Sequence, residues 1–113
     1  MTDTILQDIT FQELVKGCNR NTPCTTFLKK QILKEFEKYG ITKYHGEIPS
    51  KYKEKNFIAL ERMGFYVTPL GVVEVSFIYM FSEWSIGLSY FENHDAVVVF
   101  SMNELLSKLG VSK

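Results

Sequence analysis

Beyond Phe65 the chain alternates with a period of two. Val73, Val75, Phe77, Tyr79 and Phe81 interleave with Glu74, Ser76, Ile78 and Met80. Trp84, Ile86, Leu88 and Tyr90 then interleave with Ser85, Gly87 and Ser89. Alternation of this kind predicts strands with one face turned to a core. Phe65–Leu70, closed by Pro69 and Gly71, reads as a shorter strand ahead of them. Ala96–Phe100 is an apolar, β-branched run suited to a sheet interior. Turns fall at Ser82-Glu83 and at Glu92–Asp95.

Before Phe65 the period is helical. Thr10-Phe-Gln-Glu13 has the form of a capping box and predicts a short helix stopped near Gly17. Thr22-Pro23 opens a second helix, closed by Gly40. Leu28, Ile32, Leu33, Phe36 and Tyr39 fall on one side of it, and Lys30, Lys34 and Lys38 on the other. Ser50 to Gly64 reads as a third helix, with Tyr52, Ala59, Leu60 and Met63 apolar and Lys51, Lys55 and Arg62 opposite; Ile58 has no place in that scheme. Ser101-Met-Asn-Glu104 opens a last helix, stopped by Gly110. The predicted order is α-α-α-β-β-β-β-α: an α+β fold with three N-terminal helices, an antiparallel meander of about four strands and a C-terminal helix, in one domain over residues 1–113.

Composition narrows the class. A chain of 113 residues, 45% hydrophobic and 14% aromatic, has material for one real core. No window reaches the roughly 18 consecutive apolar residues that span a bilayer, and Met1–Asp8 carries no basic residue, unlike a signal peptide. The expectation is a cytoplasmic protein with no membrane partner. Cys18 and Cys24 are then free thiols, and their spacing is not that of a Cys-x-x-Cys redox pair.

Net charge is zero, but the signs are segregated. Eight lysines against four glutamates give residues 25–56 a charge of +4, whereas residues 57–113 carry −3.

Catalytic chemistry finds little support. Cys18, Cys24, His45 and His94 match no zinc-ligand spacing. His94 and Asp95 adjoin in a turn, where sequence neighbours rarely point at one another, and Asn and Asp suit turns for backbone reasons. No nucleophile elbow or phosphate-cradling glycine loop is present. The expectation is therefore no enzyme, no metal and no cofactor.

Two binding surfaces remain. The sheet face carrying Glu74, Ser76, Ser85, Gly87 and Ser89 should be flat and acidic. Glu74, Glu83, Trp84, Glu92 and Asp95 on or beside it would contact a protein partner, a basic one by charge. For Trp84 the competing role is core filler on the inward side of its strand. The alternative is a winged-helix-like nucleic-acid binder reading through Lys30, Lys34, Lys38, Lys51, Lys55 and Arg62; its weaknesses are that only one arginine lies among these residues and that the second half is acidic. In size and character, though in no motif, the chain resembles small inhibitor, immunity and antitoxin proteins. That resemblance implies a non-catalytic module that blocks a partner, with self-association left open.

Overall fold

The computed structural model describes residues 9–15, 22–48, 61–92 and 95–111. Among these, the helices are α1 (Phe11–Leu14), α2 (Thr22–Lys38) and α3 (Met102–Lys108). The strands are β1 (Thr42–Lys43), β2 (Glu61–Thr68), β3 (Gly71–Met80), β4 (Glu83–Tyr90) and β5 (Ala96–Val99). They form one antiparallel sheet in the order β1-β2-β3-β4-β5. The α+β class and the meander are as the sequence predicts, with five strands rather than four.

Helix α2 follows from its pattern. Cys24, Leu28, Ile32 and Phe36 recur every four residues and are fully buried, while Lys30 and Lys34 are exposed. Its end is a Schellman-type closure, in which Gly40 takes φ +74° and the Ile41 N–H donates to the Phe36 carbonyl at 2.9 Å. Leu33, expected on the apolar side, is more than a third exposed. Around α1 the Thr10–Glu13 capping box is complete, with each side chain accepting from the other residue's N–H at 3.0–3.1 Å. At α3 it is half made. Ser101 Oγ accepts from the Glu104 N–H, but the Glu104 carboxylate takes the Phe100 N–H at 2.6 Å instead.

One predicted helix is partly overturned. Residues 50–60 lie outside the described part, but Glu61–Gly64, expected to end that helix, are extended and belong to β2. Ten-residue β3 offers a ladder that Phe65–Thr68 alone would leave half unpaired, and Glu61 and Arg62 continue it opposite Phe77 and Ser76. Gly64, at φ +139°, sits where the register shifts. Apolar residues three and four apart fitted a helix equally well, so local spacing alone misassigned the segment. Strand β1 is two residues long and too short for any periodic signal.

The core lies on one face of the sheet. Val73, Val75, Phe77, Trp84, Ile86 and Leu88 pack with Leu28, Ile32 and Phe36 of α2, Phe11 of α1, and Leu105 and Leu109 of α3. Helix α3 is further tied to β4 by the Tyr90 hydroxyl, which donates to the Lys108 carbonyl at 2.5 Å. Its C-terminal stop, Gly110, has φ +86°, and a Cβ there would lie 2.9 Å from Leu70 Cγ and 3.2 Å from Pro69 Cβ. Gly110→Ala therefore combines left-handed strain with a clash, and a loss of about 1–2 kcal/mol in chemical denaturation is the expected result.

The opposite face is not the bare surface that the alternation predicts. Glu74, Ser76, Ile78, Ser85 and Ser89 are all buried. Leu105 and Leu109 belong to the core face, so α3 is not spread over these serines. The thiol expectation also fails: Cys24 is buried and disulfide-bonded, which no spacing rule could announce.

Candidate functional site

The residues expected to form one acidic contact surface are dispersed. Glu74 is 3% exposed and faces Arg62, whose Nε lies 2.8 Å from Glu74 Oε2. The pair is close without being well aligned, since neither Glu74 Oε2 nor Arg62 Nη2 completes a hydrogen bond. Burial pushes the Glu74 carboxyl up from the ordinary carboxylate range, and the Arg62 guanidinium pulls it back without cancelling that effect. This is an internal ion pair rather than a contact residue. Trp84 is likewise internal, with its ring 4.9 Å from that of Tyr79 and its backbone N–H donating to Gln12 Oε1 at 2.9 Å. Its role is the core one.

Glu83, Glu92 and Asp95 are exposed, but they stand at opposite ends of β4. At about 3.3 Å per residue the span from Glu83 to Glu92 is roughly 30 Å, too far for one small patch. Glu92 and Asp95 border a shallow groove of about 400 Å³ that also involves Leu70, Tyr90, Val97 and Lys108.

The lysine stripes separate too. Lys30 and Lys34 remain exposed on α2, and Lys38 lies 3.3 Å from Glu35. Lys51 and Lys55 are outside the described residues. Arg62 is on a strand and committed to Glu74, so the expected second basic helix face loses its arginine. Among the described residues no group of three His, Cys, Asp or Glu is placed to hold a metal ion, and no helix is long and apolar enough to cross a membrane.

What the structure brings forward instead is the β3–β4 hairpin tip. The Met80↔Glu83 pair closes the ladder around a two-residue loop, Phe81-Ser82. Both loop residues are left-handed, at φ 55° and 60°. That is the signature of a type I′ turn, which matches strand twist but normally selects Asn-Gly or Gly-Gly. A bulky residue in this region is strained by about 1–2 kcal/mol. Phe81 is also 94% exposed, with Met80 beside it at 41%. Leaving a phenylalanine in water forgoes a further 1.5–3 kcal/mol or so of burial.

The sequence reading missed this residue for a definite reason. Phe81 continues the core parity of Val73, Val75, Phe77 and Tyr79, and the turn was expected one residue later, at Ser82-Glu83. With neither Asn nor Gly in the loop, only the strand register reveals that Phe81 has left the ladder.

A comparison with protein-family models, curated proteins and solved structures finds no match for the chain.

Proposed function

We propose that this protein is a small non-catalytic binding module, of inhibitor, immunity or antitoxin type, that docks on a partner protein through its β3–β4 hairpin end. The observation that carries the reading is Phe81: an aromatic residue held in a strained turn, almost wholly in water, where it does nothing for the fold. Strain that the fold does not require is characteristic of sites shaped by another task. Aromatic side chains with little rotamer freedom to lose are also efficient interface anchors. The lysine-based alternative is less well supported, because Arg62 is turned into the sheet. The disulfide at Cys24 favours action in an oxidising compartment over the cytoplasm expected from the sequence.

Affinity capture from the cells that make the protein tests this. The wild-type chain should retain one partner in stoichiometric amount, and Phe81→Ala, an exposed position, should retain it on the order of thirtyfold more weakly with an unchanged melting curve. Equal retention by both would remove the hairpin from the reading.

A further inference from the structure

The acids around the tip restrict what can receive it. Glu83 follows Phe81 by two residues and is exposed, so its Cα lies within about 7 Å of that of Phe81. The same end of the sheet carries three further exposed carboxylates. Glu61 pairs with Phe77, three residues before Met80. Glu13 adjoins Gln12, which reaches the Trp84 N–H, and Glu104 holds the N–H of Phe100, one residue beyond β5. Arg62, on the strand that begins with Glu61, is taken by Glu74 and leaves these carboxylates uncompensated by its charge. Phe100 is half-exposed alongside and extends the apolar contact area.

A surface that engulfs the Phe81 ring therefore also draws the Glu83 carboxylate out of water. Desolvating a carboxylate without a compensating partner opposes binding, whereas lysine or arginine at the mouth turns the same contact into attraction and steers the approach. An anionic lipid surface would repel these four carboxylates.

We infer that the partner presents an apolar socket rimmed by lysine or arginine, which takes the Phe81 ring at its centre and Glu83 at its edge. This rests on the reading of the hairpin as the docking element.

The test is photo-crosslinking in the producing cells, with p-benzoylphenylalanine in place of Phe81. A control carries it in place of Leu70, which is 49% exposed in the β2–β3 turn at the far end of the sheet. The expected result is a crosslink from position 81 and not from 70, to one protein. The crosslinked peptide should lie among apolar residues bordered by lysine or arginine. Adding Glu83→Lys should cut the yield at least tenfold, high salt should cut it too, and Glu92→Lys at the other end of β4 should not.

A crosslink from 81 that survives Glu83→Lys and high salt would overturn the cationic rim while leaving the docking hairpin in place. Crosslinks to lipid, or from 70 alone, or from neither position, would overturn the hairpin reading itself. Melting curves of each variant separate loss of contact from loss of fold.

Discussion

Phe81→Asn/Ser82→Gly should make the protein more stable and stop it binding. Both loop positions are left-handed, and Asn-Gly is the pair that a type I′ turn selects. Relieving about 1 kcal/mol at each position gives a gain of roughly 2 kcal/mol. For a domain of this size that raises the thermal midpoint by about 8 °C. Retention of the partner should fall with it, because the anchoring ring is gone. Opposed changes in stability and binding are what a strained functional turn predicts. A melting curve and one capture experiment on the same variant decide the matter. A lowered midpoint would show that the loop is unstrained, and a raised midpoint with binding intact would show that the ring is not the anchor.

The legible parts of this fold are those fixed by neighbours in the chain. Leu28, Ile32 and Phe36 announce the buried stripe of α2 by spacing, and Thr10–Glu13 announces the cap of α1 within four residues. The alternation of β3 and β4 announces two strands and the face on which Val75, Phe77 and Leu88 are buried. What failed depends on distant partners. Glu61 and Arg62 are extended because β3 stands beside them, not because of their own propensity. Glu74 and Ser85 alternate like surface residues and are nevertheless buried, since period two reports a polar face without saying whether it is covered. Phe81 is the converse. Its parity says core, and a turn placed one residue earlier than expected puts it in water. Of the expected contact residues, only Glu83 stands beside the proposed hairpin site.

Arg62 carries the second large effect. Glu74 is nearly wholly buried, and the cation beside it comes from an Arg62 side chain that is 28% exposed. Arg62→Met leaves the carboxylate buried without its counter-charge, a change that commonly costs 3–5 kcal/mol. The imperfect alignment of the pair puts the expectation near the lower end, about 3 kcal/mol, still a large share of the 5–15 kcal/mol that holds most domains together. Arg62→Met/Glu74→Leu removes both charges and should return to within about 1 kcal/mol of the parent, because burying an ion pair gains little over apolar contact.

The pH dependence follows from the same residue. Burial already raises the Glu74 carboxyl above its ordinary value, so the folded chain holds that proton more tightly than the unfolded one. Stability from this group is therefore greatest at low pH and falls as pH rises through the raised value. Without Arg62 the carboxyl rises further. In urea unfolding at about pH 5 and about pH 8, the deficit of Arg62→Met relative to the parent should be larger at the higher pH. The double variant, with no carboxyl left to titrate there, should lose that difference. A deficit independent of pH would mean that Arg62 supports the sheet through its aliphatic stem rather than its charge.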